Sequence, residues 1–251
     1  MNNRHTILYI VIGIALLILW EYSAKQSNTV RLFISSPTLV LQYLNDNLST
    51  LLIATWTTFY EAVAGLLIAI LFSFFTMIVC FYYSKLMDYI LPVMVISQVI
   101  PLITLAPLFI ILFGTGATAK ILMASLLCYF PIFVNFANGV KLINKNIHEL
   151  FFVYNATTTQ KIRHIYFPLA LPSIMTGLKV AATLAVIGAI VAEFAGAETG
   201  LGRNLFIAAL RTEPDLMMSS LFLCSILGGL MFTSIHIIES KIGKWYVQNN
   251  N

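Results

Sequence analysis

Charge is what this sequence is short of. Only 10% of its 251 residues are Asp, Glu, Lys or Arg, against roughly 25% in soluble domains. With 59% hydrophobic residues and a mean hydropathy of +0.90, the chain lacks the polar surface to cover a globule in water, so lipid is its solvent. The net charge of +4 is too small to point to a nucleic-acid partner. Cysteine is scarce too: Cys80, Cys128 and Cys224 lie in apolar runs without short spacing. They suggest neither a disulfide framework nor a zinc site and read as small buried hydrophobes. His5, His148, His164 and His236 are scattered. His236 has Glu239 nearby but no second ligand at metal spacing, and no nucleophile gathers an acid–base pair, so the chain does not read as an enzyme.

What is abundant is long apolar runs. Six of them, at 7–22, 51–83, 87–113, 118–140, 169–195 and 216–238, are long enough or nearly so to span a bilayer as helices. The expected fold is an all-α integral membrane protein with about six transmembrane helices. Arg4 before the first run resembles the start of a signal peptide, but Trp20, Glu21 and Tyr22 at its end are too bulky for a cleavage site, so residues 1–35 read as a retained anchor and external linker. As a helix the second run reaches about 50 Å against a hydrocarbon core of about 30 Å, so its start, around Thr50 to Thr58, projects beyond the lipid.

Orientation follows from the basic residues. With the N-terminus inside, the inner segments hold Arg4, Lys85, Lys141, Lys145, Lys161, Arg163, Lys241 and Lys244, and the outer ones Lys25, Arg31, Arg203 and Arg211. The excess on one side places both termini in the cytoplasm. Acidic residues, among them Glu193 and Glu198, fall at or beyond the external span ends.

Polar groups inside spans are costly and are candidates for a path or gate: Glu61, Gln98, Asn135, Asn138 and Lys179. Each has a plainer reading. Glu61 fits the outer mouth of a span whose start protrudes, and Lys179 can snorkel to the inner face. Pro92, Pro101 and Pro107 divide the third run and Pro131 interrupts the fourth; they mark either a gate or static kinks. Gln98 stands just before Pro101, where a proline frees backbone carbonyls.

One cytoplasmic stretch breaks the apolar pattern: "HELFFVYNATTTQKIRHIYFPLALPSIMTGLKV", residues 148–180. Its periodicity predicts two short helices around a turn. Asn155 tolerates the left-handed conformation, Thr157 or Thr158 caps the second helix with Gln160 at the third position, and Pro168 and Pro172 suit the start of the next span. Leu150, Phe151, Phe152 and Tyr154 either pack back on the spans or dock into a partner.

This loop resembles the EAA loop of binding-protein-dependent ABC importer permeases of the MetI-like type. Glu149 takes the Glu position, Asn155 the Gly position and Phe167-Pro168 the Leu-Pro. "LPSIMTGLKVAATLAVIGAIVAEFAGAETGLGRNL" and "PLITLAPLFIILFGTGATAK" resemble the subgroup importing nitrate, sulfonates, taurine and thiamine-pyrimidine precursors. The resemblance implies a permease domain over 36–251, with the loop at about 146–168 as a coupling element formed by Glu149, Leu150, Phe151, Tyr154, Asn155, Ala156, Thr157, Gln160 and Pro168. It implies a cytoplasmic ABC ATPase dimer as partner, an extracytoplasmic solute-binding protein, and a second permease copy, most simply a homodimer. The cargo is then a small polar solute, and the setting a bacterial inner membrane. No cofactor is expected in this chain, with ATP and Mg held by the ATPase; "GTGATAK" at 114–120 lacks the order of a phosphate-binding loop and reads as an external turn. Leu150 and Phe151 replace two alanines, Asn155 a glycine and Phe167 a leucine, so a dedicated ATPase is expected. The rival reading is a membrane scaffold that transports nothing.

The inside assignment of residues 141–167 is open to test. In a background without native cysteines, Asn146→Cys should resist an impermeant thiol reagent added to intact cells. Labelling from outside would invert the topology.

Overall fold

The computed structural model describes residues 3–26, 34–97 and 101–249. Every regular element among them is helical: α1 (Asn3–Gln26), α2 (Pro37–Asp46), α3 (Leu48–Tyr82), α4 (Ser84–Ser97), α5 (Leu102–Phe113), α6 (Ala117–Lys141), α7 (Lys145–Val153), α8 (Thr158–Lys161), a π-helical turn (Ile162–Tyr166), α9 (Phe167–Gly196), α10 (Leu201–Arg211) and α11 (Pro214–Asn249). Among the described residues, four helices are long and apolar enough to cross a membrane: α3, α6, the continuous rod from Thr158 to Gly196, and Pro214–Ile242 of α11. The first expected span lies within α1. The third is not one helix but two, α4 and α5, with Pro101 at the N-cap of α5. Gln98, a candidate for the path, lies outside the described residues. Gly114–Gly116 form the turn between α5 and α6, Gly114 with a left-handed φ of 82°.

Of the two prolines expected at the start of the fifth span, only one lies there. Pro168 does fall in the first turn of α9, but Pro172 lies inside it, and α8, the π turn and α9 run on without interruption. A proline has no N–H to give and its ring crowds the carbonyl four residues back. The wider π turn absorbs that misfit, with the Phe167 N–H reaching back to the Ile162 carbonyl.

The core is built on close approach of α3, α6 and α9. Lipid gives helices no hydrophobic reason to associate, so contact depends on small residues that let backbones meet. α9 buries Ala181, Ala182, Ala185, Ala189 and Ala192, and α3 buries Ala54, Ala62, Gly65 and Ala69. At the tightest crossings a Cβ on Gly65 would lie 2.6 Å from Ala124 Cβ, and one on Gly188 2.7 Å from Ala124 Cα. Larger residues point outward: Trp56, Leu71 and Phe75 on α3 are all well exposed. A second cluster, with Met77, Phe133, Phe136, Ala170 and Ile174, fills the bundle end nearer the loop.

Gly188→Ala drives a methyl into α6 backbone and should lower stability by about 1–3 kcal/mol. The unfolding midpoint of the purified permease in detergent reads it. Gly13→Ala, with nothing within 4 Å, should leave the midpoint unchanged; equal midpoints for both variants would refute the close-packing account.

Candidate functional site

The loop is shaped by its own hydrogen bonds. α7 ends at Val153 and the chain turns at Asn155, whose φ of 49° is left-handed; the Ala156 N–H donates to the Phe151 carbonyl at 3.0 Å, which closes the helix end. Two residues on, the Thr157 hydroxyl accepts from the Gln160 N–H while the Gln160 side chain accepts from the Thr157 N–H at 2.8 Å, a reciprocal cap as the sequence predicts. Tyr154 is 75% exposed and Val153 77%, so these residues are not folded back on the spans. Phe151, Tyr154, Ala156, Gln160 and His164 line a cleft of about 340 Å³ between the two halves of the loop. Glu149 is exposed, and the side chain of Leu150 lies outside what the structure describes. Pro168 is half-buried where the rod enters the bundle.

The loop is fastened to α3. Tyr166 of the π turn stacks on Phe81, ring centroids 4.6 Å apart and planes 9° from parallel. One residue on, the Tyr82 hydroxyl lies 3.0 Å from that of Thr159.

At the opposite end of the bundle the structure gathers a charged network that sequence reasoning only half found. Glu61 does not sit at an open mouth: it is 1% exposed and its Oε1 accepts from the Lys120 ammonium at 2.9 Å. Glu193, at the end of its span as expected, is wholly buried. Its Oε1 accepts from the Thr58 hydroxyl at 2.7 Å and its Oε2 from the Gly202 N–H at 2.7 Å. The Thr58 oxygen in turn accepts from the Leu201 N–H at 2.9 Å. Gly200 adopts a φ of +123°, and a Cβ there would meet Glu193 Oε1 at 2.1 Å, so only glycine lets α10 begin against the carboxylate. The first turn of α10 thereby gives to Oε2 one of the N–H groups that a helix start leaves unpaired. Glu61 Oε2 is buried without a donor.

The remaining path candidates fall elsewhere. The ammonium of Lys179 lies 2.9 Å from both oxygens of Glu239 on α11, and His236 Nδ1 lies 3.2 Å from one of them. The Asn135 amide donates to the Pro131 carbonyl of its own helix at 2.8 Å, and Asn138 is exposed. Pro101 caps α5 and is exposed. Lys120, Thr58 and Glu193 were the residues missed. The available signal was electrostatic, because an acid at Glu61 inside a span requires a partner, and Lys120 and Lys179 were the cations to weigh.

Comparisons with known proteins agree on the kind of chain this is. The family described as "Binding-protein-dependent transport system inner membrane component" matches residues 81–245. The Formylaminopyrimidine transport permease protein ThiX of Halalkalibacterium halodurans is 33% identical over 232 residues, 92% of each chain. The Riboflavin transport system permease protein RibX of Chloroflexus aurantiacus is 31% identical over 154 residues, 61% of this chain and 58% of that one. A solved structure of the MetNI methionine ABC transporter in inward-facing conformations shares the fold, with a TM-score of 0.68 at 19% identity over 78% of this chain and 97% of that one.

Removing one member of a buried ion pair strands the other. Lys120→Met should cost about 3–5 kcal/mol, and combining it with Glu61→Gln should recover most of that loss in the detergent unfolding midpoint. A double variant no more stable than Lys120→Met would show that the pair does not hold these helices.

Proposed function

Because the chain belongs to the binding-protein-dependent transport system inner membrane component family, as the permease subunit of an ABC importer, we propose that it moves a small polar solute inward by alternating access driven by a separate ATPase. The observation that carries this is the loop between α6 and α9. It presents Tyr154, Val153 and the half-buried Phe151 beside a cleft, in a segment rigid enough to receive a push. A cytoplasmic ABC ATPase dimer, holding ATP and Mg, covers that surface; both termini lie on its side of the membrane. A solute-binding protein delivers cargo from the other side, and two copies of this chain enclose the path. Leu150, Phe151, Asn155 and Phe167 fit a groove larger than one shaped for alanine, which specifies a cognate ATPase.

The charges inside the spans bear on the solute. Of the lysines in the spanning helices, Lys141, Lys161 and Lys241 stand within a few residues of the helix ends, while Lys120 is paired with Glu61 and Lys179 with Glu239. A sulfonate or nitrate would find these two inner lysines already committed to carboxylates. A neutral or cationic solute is favoured, and a formylaminopyrimidine, the compound named for the 33% identical relative, is the first to test. Uptake of labelled formylaminopyrimidine without uptake of taurine would support this order, and the reverse would overturn it.

The transporter and scaffold readings part at the loop. Phe151→Asp places an unpaired charge in the proposed contact at a cost of several kcal/mol. The permease should still insert, but its ATPase should be lost on purification and ATP hydrolysis should no longer respond to the binding protein. Retention of a fully responsive ATPase would remove the coupling role.

A further inference from the structure

The two fastenings described above lie at opposite ends of the same pair of helices. α3 runs from Thr58, which holds Glu193 and the Leu201 N–H, to Phe81, which stacks on Tyr166. α9 and its π turn run the opposite way between the same two points. At about 1.5 Å per residue the fastenings stand about 35 Å apart along α3 and about 40 Å along the rod that ends in α9. At the loop end the pair is further joined by Phe74, 5.9 Å from Phe167, and through Phe136 of α6, 5.3 Å from Phe74 and 6.0 Å from Phe81. Ile165, inside the π turn, is 1% exposed. The same bonds that close the far end also fix the first turn of α10.

We infer that α3 and α9 form one membrane-spanning strut, positioned by Phe81–Tyr166 and Thr58–Glu193, that carries movement of the coupling loop to the start of α10. The inference rests on the coupling reading above and adds the route and its far terminus. Phe81 and Thr58 are positioning residues: neither touches the ATPase-facing surface. A strut pinned at both ends transmits displacement only while both pins hold. With the Phe81 stack lost, the π turn, whose bonding is already wider than that of an α-helix, takes up the motion.

The test uses the whole complex with its ATPase and needs no solute. An environment-sensitive fluorophore is placed on Leu210→Cys, exposed on α10, in a background without Cys80, Cys128 and Cys224, and ATP is trapped with vanadate. Trapping should change the emission. Phe81→Leu should keep the ATPase bound yet reduce the change about two- to thirtyfold, the range by which residues along a coupling network alter it, while Phe81→Tyr, which keeps the ring, should preserve it. Thr58→Val should act alike. Combining Thr58→Val with Phe81→Leu should do no more than the stronger single change, although sites so far apart ordinarily add. A full response in Phe81→Leu, additive losses in the double variant, or no response in the unsubstituted complex would each overturn the strut. Should Phe81→Leu fail to assemble, Tyr82→Phe, which deletes only the bond to Thr159 at an exposed site, takes its place with the same outcomes. Failure of the coupling reading itself shows separately, as ATPase retained by Phe151→Asp.

Discussion

A carboxyl group buried inside a membrane bundle is costly unless the surrounding helices answer its oxygens, and Glu193, with both oxygens answered, constrains α3 and α10 at once. Thr58 must face α9, which fixes the rotation of α3. Gly202 must bring its N–H to Oε2, which fixes where α10 begins. Gly200 must be glycine, because both the left-handed backbone and the 2.1 Å approach to Oε1 forbid a side chain. Once α3 is rotated so that Thr58 faces Glu193, Glu61 follows three residues later on a neighbouring part of the same face. That is where α6 offers Lys120.

The rotation also decides which residues of α3 meet lipid. Ala54, Thr58, Ala62, Gly65, Ala69, Ser73, Met77 and Cys80 recur on the inward face, mostly small, while Leu52, Ile53, Trp56, Tyr60, Leu67, Leu71 and Phe75 are exposed. In water the arrangement would be reversed, with the largest apolar residues inside. Here lipid takes them without loss, and interior contact comes from backbones brought close by Gly65, Ala124 and Gly188. Polar anchors and small residues therefore act together: the anchors choose the faces, and the small residues let those faces touch.

Long apolar runs made the spanning helices legible in the sequence, because length alone decides whether a helix can cross a bilayer. The loop was legible too, since Asn155 and the Thr157–Gln160 spacing act on neighbouring backbone only. Pro172 misled, because reading a proline as a boundary does not allow for a π turn that re-pairs the backbone just before Pro168. The charged network was half visible for a different reason. Glu61 and Lys120 are 59 residues apart, and helical periodicity says which face each occupies without saying which faces meet. Glu193 sat near the end of an apolar run, where an acid in water and an acid capped by the next helix look the same.

The loop's self-sufficiency bears on how ATP hydrolysis reaches the membrane. Its turn at Asn155 and its cap at Thr157 are satisfied by bonds within the loop, so its shape does not wait for a partner to impose it. A segment that orders only on binding would spend part of the contact energy on its own entropy and would yield under load. This one is ordered beforehand, with Tyr154 and Val153 held in the open and Phe151 at the rim of a cleft. On the proposed coupling role, force applied to α7 would pass through one left-handed residue and a capped turn into a rod continuous to Gly196. On that same role, Leu150 and Phe151 in place of two alanines would act on specificity rather than on stiffness, because the turn and cap that shape the loop are hydrogen bonds made by Phe151 to Gln160 backbone and the Thr157 and Gln160 side chains.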